Sequence, residues 1–497
     1  MSDWTDKTSP EPKFVMRSHR RQFVIGSKPF HVYEDWCCHS LDASTWISYC
    51  PELRAGWTRD ADGVNWVLLG LAVETIENKP DPLVQIAQTK TIDIPTLYPS
   101  WAGRWVLIGR GIHIDASGLL GCFYGTVDNQ TWVSSSPALL AKILGVDVVT
   151  DSPLRYEVGI SWFAPPRSRF AQMYRLLPSQ VLELNTGNIH PRPLMPPIDP
   201  TRSYNDLDLL QNALVTAMQR LPDKSKLWLG LTAGFDSRLI LAIARCAKID
   251  VMPFTRITKR MSVADRVLPP KLAHECGYEH IFMRGSNNRD RQHLVAEHSA
   301  DHVSQGDAEP FIQGVRDNLS GISFGGHGFS VASGFGDLRL LPDTVTDAEI
   351  GANQIAQVFQ ANNSAIPGLR DWLAWVIQHP QENLDWRDRF FLEQRQAGWL
   401  SSKEQLYDLV KLERFPILNA ARNYSLLLGF PENQRLGSKL QVEMIRRLAP
   451  ALLKYPFNPP NEYFGIRAIA IKSADDPLYL WRRVIGKLSR ITFATST

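Results

Sequence analysis

Residues 227–238, "LWLGLTAGFDSR", place an acid and a hydroxyl, Asp236 and Ser237, just behind a turn of small residues, Thr232-Ala233-Gly234. Apolar runs on both sides predict a buried parallel strand before the turn and a helix after it. A helix N-terminus at the end of such a strand offers free backbone N–H groups and the positive end of a dipole, a ready anion site. Small residues let phosphate oxygens approach the backbone closely. An acid there would repel a bare anion, but it makes sense if it holds a Mg²⁺ that neutralises a di- or triphosphate. Ser237 either donates to phosphate or caps the helix. Two readings stand for this stretch alone: a pyrophosphate cradle with one metal-binding acid, and a capped helix with no ligand. The lysine-bearing P-loop and the GxGxxG pattern are both absent.

The elements that position this stretch follow from periodicity. Residues 1–22 are polar and predict a disordered arm, with the dense basic run "RSHRR" (Arg17 to Arg21) read as solvated. Short apolar stretches then alternate with turn signals up to about residue 190, a mostly antiparallel, strand-rich pattern. "PRPLMPPIDP" packs five prolines into positions 191–200, which excludes helix and central strand and marks a linker over 191–203. From 204 to 497 a helix with Leu207, Leu210, Leu214, Ala217 and Leu221 on one face leads into "KLWLGL". Helix "SRLILAIARCA", strand "VMPFTRI" and helix "ADRVLPPKLAHECG" follow. Alternating strands and helices predict a doubly wound α/β sheet. Pro269-Pro270 is expected to interrupt or kink the last of these helices, and the final third reads as a helical tail.

The bulk composition removes whole classes of function. The chain has 497 residues, 44% hydrophobic and 21% charged, with a net charge of +3. That is a globular profile without the charge footprint of a nucleic-acid or membrane-surface binder. No apolar stretch reaches the ~18 residues of a membrane helix, and the N-terminus carries no apolar signal segment, so a cytoplasmic protein is expected. Six cysteines make no disulfide framework, and Cys37-Cys38-His39 lacks metal-ligand spacing.

Five blocks carry a family resemblance. "LTAGFDSR" resembles the S-G-G-x-D-S pyrophosphate loop of the asparagine synthetase family of ATP pyrophosphatases. "WAGRWVLIGRGIHIDASGLLGCFYG…TWVSSSPALLAKIL" and "RFAQMYRLLPSQVLELNTGNI" resemble the later strands of its glutaminase-like domain and the segment before its linker. "ADRVLPPKLAHECGYEH" and "KLERFPILNAARNYSLLLGFP" resemble a helix and an E-x-R-x-P-F-L-D segment of its synthetase domain. The blocks fall in the family's order. The resemblance implies an N-terminal Ntn-hydrolase-like αββα sandwich over 23–190 and a C-terminal adenine-nucleotide-hydrolase-like parallel sheet. It implies ATP and Mg²⁺ as cofactors, and amide formation through an acyl-adenylate with release of AMP and pyrophosphate. Small-molecule or peptide carboxylates and amines would be the substrates, as in β-lactam synthetases or lasso-peptide cyclases, with biosynthetic partner proteins conceivable and neither nucleic acid nor membrane involved.

The departures from that family shape the expectation. A working glutaminase needs an N-terminal cysteine nucleophile, and here residue 2 is Ser2, about twenty polar residues ahead of the first strand. Glutamine hydrolysis is therefore expected to be lost. In "SFGGHGFSVASGF" Phe329 and Ser330 stand where the family places Asp and Glu, and Asp337 is the nearest acid able to compensate. On the resemblance, Leu231, Thr232, Ala233, Gly234, Asp236, Ser237 and Gly326 would surround the nucleotide, and Asp236 with Asp337 would bind metal. Asp265 is either a nucleotide contact or a helix cap, and Arg238 either adds charge at the phosphates or forms a surface ion pair. Glu413 would serve as general base, against an ion pair with Arg414 or Lys411. Lys472 would stabilise charge in acyl transfer, and His327 would face the nucleotide. Two alternatives remain: a catalytically impaired scaffold that binds nucleotide or a partner protein, and an asparagine synthetase running on free ammonia.

Overall fold

The computed structural model describes residues 17–149, 153–157, 160–222, 225–258, 261–284, 291–298, 305–312 and 319–475. Its N-terminal part stacks two six-stranded sheets whose pairings are all antiparallel. One sheet centres on Phe23–Gly26 and Gln130–Ser134, the other on Trp101–Ile108 and Asn65–Glu74. Side chains alternate across each strand. Phe23 and Ile25 thus meet Val67, Leu69, Val106 and Ile108 between the sheets. Val24 faces outward onto Leu139 and Leu140 of the helix Pro137–Leu144. On the opposite outer face Trp66, Leu68, Trp105 and Leu107 cover Ile86 of the helix Pro82–Ala87. The layers run helix, sheet, sheet, helix, the αββα order that the sequence implied.

The C-terminal part is built on five parallel strands: Leu227–Gly230, Met252–Arg256, Ile281–Met283, Gly321–Phe324 and Leu412–Phe415. Across the sheet they lie third, second, first, fourth, fifth in chain order. The order reverses at Leu227–Gly230, and ligands of open parallel sheets bind beyond the carboxyl end of the strand at such a switch. The helix Val263–Glu275 continues through Pro269 and Pro270, so the expected interruption does not occur. Leu412–Phe415 is a strand within what the sequence suggested was a helical tail. Among the described residues no helix is long and apolar enough to cross a membrane.

The two parts share one apolar core. Leu71, Val73, Ala102 and Leu119 of the sandwich join Leu229, Phe415, Ile417 and Leu418 of the parallel-sheet region in a single cluster. The proline-rich linker adds Leu194, Met195 and Ile198 to it. A buried ion pair crosses the interface, Arg104 to Asp408 at 3.1 and 2.9 Å. The basic run is part of this contact, which corrects its reading as a solvated, disordered arm. Arg20 donates to the carbonyls of Asp408 and Val410, and Arg21 to those of Val410, Lys411 and Leu412, at 2.7 Å for the last. Four backbone carbonyls of one segment thus gain donors that water would otherwise supply.

Desolvated histidines make the fold sensitive to acid. The His19 backbone N–H donates to His298 Nδ1 at 3.0 Å, and His298 Nε2 lies 2.8 Å from the Gln405 carbonyl. Burial, then the neighbouring His298, hold the His19 imidazole down at about 4. Burial also lowers His298, holds His113 at about 3 and His280 at about 4. Each is neutral when folded and protonates in the unfolded chain below its ordinary value, so stability is full above pH ~6.5 and falls as pH drops toward ~4. His19 alone accounts for about 3 kcal/mol lost by pH 4. Asp236, raised to about 6, acts in the opposite sense, as do the buried Asp115 and Asp388 carboxyls, which burial also raises, three groups against four. Urea titrations at stepped pH are expected to show midpoints falling steadily below ~6.5. A flat profile down to pH 4.5 contradicts the assignment.

Candidate functional site

A cavity of about 620 Å³ opens beyond the carboxyl ends of Leu227–Gly230, Met252–Arg256 and Gly321–Phe324. The 227–238 stretch forms one side. The strand ends at Gly230 and the helix Phe235–Ala247 begins after Gly234, whose position carries no side-chain cap. Thr232 and Ser237 organise the turn between them: their hydroxyls lie 2.9 Å apart, Ser237 Oγ accepts the Thr232 N–H at 3.1 Å, and Thr232 Oγ1 accepts the Gly234 N–H at 3.2 Å. Ala233 is not among the residues with positive φ, so it avoids the glycine-only conformation.

Eight of the sequence-predicted residues border the cavity: Leu231, Thr232, Gly234, Asp236, Ser237, Asp265, Gly326 and His327. Burial pushes the Asp236 carboxyl up to about 6, against the Gln441 N–H that it accepts at 3.2 Å and the nearby Arg395 cation. Asp265 is not the cap: Ser262 caps Val263–Glu275 by accepting the Asp265 N–H at 3.0 Å and donates to one Asp265 carboxylate oxygen at 2.8 Å, while the other oxygen accepts the Ala233 N–H at 2.8 Å. Asp265 braces the turn, and the Ala233 N–H is spent on it. Gly326 is required by closeness: a Cβ there would lie 2.7 Å from Asp236 Cβ. His327 meets the Trp399 ring edge-on at 6.1 Å.

Other expectations are corrected. Glu413 faces away from the cavity and pairs with Arg54 of the sandwich at 2.6 Å. In the strand Leu412–Phe415 successive side chains alternate, and it is Arg414 that reaches the cavity. Arg238 is neither a phosphate contact nor a surface ion pair. It is fully buried and donates to the carbonyls of Ala233, Leu452, Tyr455 and Pro456, with its guanidinium 3.9 Å from the Phe457 ring centre. Asp337 is exposed on the turn Gly336–Leu340 and does not border the cavity, so it does not join Asp236. Phe329 is buried in the core, and Ser330 hydrogen-bonds the His327 carbonyl at 2.9 Å. Lys472 falls in the helix Ile466–Asp475, and its side chain lies outside the described residues, as does Ser2.

Sequence reasoning missed Arg256, Lys403, Arg414 and Asn458 on the cavity wall. Arg256 ends a parallel strand, a position that the strand-end rule could have flagged. Arg414 was one residue from a named candidate. Its guanidinium forms a two-pronged pair with Glu404 at 2.8 and 3.1 Å and donates to the Phe324 carbonyl at 2.7 Å. Gly325 packs directly on it. Nothing local marked Lys403 or Asn458.

The donor set does not suit a magnesium ion resident in the protein. Asp236 already accepts from Gln441 and faces Arg395, both Asp265 oxygens are engaged, and the positions expected to supply acids hold Phe329 and Ser330. Among the described residues no group of three or more His, Cys, Asp or Glu side chains is placed to hold a metal. Beside the engaged Asp236 and Asp265 carboxylates, the cavity presents a helix N-terminus, the hydroxyls of Thr232 and Ser237 among others, and the side chains of Arg256, Lys403 and Arg414. That arrangement suits a polyanion.

No family model matches the chain, and no curated protein matches it. Matching solved structures include the glutamine phosphoribosylpyrophosphate amidotransferase from B. subtilis complexed with ADP and GMP. It is 10% identical over 69% of this chain and 73% of that one, with a TM-score of 0.21. NAD+ synthetase from Burkholderia pseudomallei is 12% identical over 52% of this chain and 91% of that one, with a TM-score of 0.18. At such scores neither carries an argument, and the fold rests on its own strand order and cores.

Proposed function

We propose that the chain forms carbon–nitrogen bonds at the expense of ATP. A substrate carboxylate attacks the α-phosphorus, pyrophosphate leaves, and an amine then displaces AMP from the acyl-adenylate. The observation that most supports this is the uncapped N-terminus of Phe235–Ala247, open to the cavity at the sheet's switch point. Thr232, Gly234 and Ser237 would cradle pyrophosphate, and any magnesium would enter with the nucleotide. With Glu413 turned away, His327 is the remaining proton acceptor from the sequence candidates at the cavity. The substrate would be a small amino acid or peptide acid. Glutamine hydrolysis has no part in this reading.

A nucleotide-binding scaffold without turnover is the second reading, favoured by the Glu413 carboxylate being paired to Arg54 outside the cavity. Thermal melting tests what both share. ATP at ~100 times its Kd is expected to stabilise the chain by about 2.7 kcal/mol and raise Tm accordingly. A Tm unmoved by ATP, ADP and pyrophosphate alike rules out nucleotide binding. Exchange of labelled pyrophosphate into ATP with a panel of carboxylates then separates ligase from scaffold.

A further inference from the structure

The ten-residue π-helix Phe391–Leu400 runs buried beside the cavity and continues into the helix Ser401–Leu406. π-Helical turns are rare and concentrate at functional sites. Arg395, Trp399 and Lys403 follow one another at four-residue spacing along it. The Arg395 guanidinium and the Lys403 ammonium each lie 4.7 Å from the Trp399 ring centre. The indole thus draws two cations together that would otherwise repel, through attraction to its π-system. At one end of this column Arg395 donates to Ser330 Oγ at 3.3 Å, and its charge acts on Asp236. At the other end Lys403 borders the cavity. Ser330, which stands where the resemblance places a metal-binding acid, is an acceptor for a guanidinium.

The geometry points to a cavity that meets the charge of a nucleoside polyphosphate with a side-chain cation, Lys403, held on the Trp399 ring that Arg395 also contacts, in place of a divalent ion held by the protein. This rests on the nucleotide reading above. Phosphate oxygens approaching the N-terminus of Phe235–Ala247 would find positive charge already placed, beside two acids, Asp236 and Asp265, whose carboxylates are already engaged. Lys403 is then a binding residue, and Arg395 a positioning residue that offsets Asp236.

Calorimetric titration of the full chain with ATP and, separately, with inorganic pyrophosphate tests this, once in excess EDTA and once in excess magnesium. Dissociation constants in the two conditions are expected to agree within about threefold, and Lys403→Ala to weaken both ligands about tenfold. Lys403→Arg is expected to retain most of the affinity, and the ligand-free melting point of both variants to match that of the native chain. Binding that disappears in EDTA overturns the inference and leaves the nucleotide reading intact. So does binding indifferent to Lys403→Ala. If neither ligand binds in either condition, both fall together.

Discussion

Glu404→Ala is expected to destabilise the chain by about 3–5 kcal/mol, the cost of leaving a buried guanidinium without its carboxylate. Glu404 and Arg414 are almost wholly inaccessible, and Glu404 accepts from both Nε and Nη2 of the arginine. The Ser323 and Phe324 carbonyls and the Ser323 hydroxyl accept from Nη1 and would remain. Truncation therefore orphans two donors and a charge in a place that water cannot readily reach. The double replacement Glu404→Leu with Arg414→Met is expected to recover most of the loss, since removing both partners restores an apolar interior of similar volume. Denaturant midpoints of the two singles and the double measure this directly. A single variant within about 1 kcal/mol of the native chain would show that the pair contributes little. The double variant carries a second expectation: it should fold yet bind ATP poorly, because Arg414 is also a wall of the cavity.

Gly326→Ala is expected to cut ATP affinity at least tenfold while costing only about 1–3 kcal/mol of stability. The added methyl would lie 2.7 Å from Asp236 Cβ, 3.3 Å from the Asp236 carbonyl carbon and 3.5 Å from the Ser237 nitrogen. None of these atoms is the end of a flexible side chain, so the first turn of Phe235–Ala247 has to move. That turn holds the N–H groups assigned to the phosphates, and small displacements of such donors weaken them steeply. Gly336→Ala is the control, because a Cβ there meets nothing within 4 Å. Equal ATP affinity for Gly326→Ala and the native chain would place the ligand elsewhere.

The loop and the sheet around it were legible because their signals are local. Apolar runs of strand and helix length bracket Thr232-Ala233-Gly234, and the proline segment announced its own irregularity. The site's far wall was not legible. "LERF" shows no alternation of apolar and polar residues, so nothing indicated that Glu413 and Arg414 would point to opposite faces. Choosing between them needs the strand that their neighbours form with Gly321–Phe324. The Arg238 clamp and the burial of Arg20 and Arg21 depend on carbonyls more than two hundred and nearly four hundred positions away. Composition treats such arginines as surface residues, and only the fold reveals the unpaired oxygens waiting for them. The π-helix around Arg395 likewise has no residue signature of its own.

The core that runs unbroken from Leu71 and Ala102 to Phe415 and Leu418 also bears on how such a chain can change over evolutionary time. Two modules joined by a tether can be lost or exchanged one at a time. Here a gene cut at the proline segment would leave each half with a raw apolar face and an unpaired charge, Arg104 in one and Asp408 in the other. Selection on the parallel-sheet half therefore preserves the sandwich whatever chemistry the sandwich itself retains. The sandwich is thus a permanent wall, free to vary at its outer faces and constrained where it touches its neighbour.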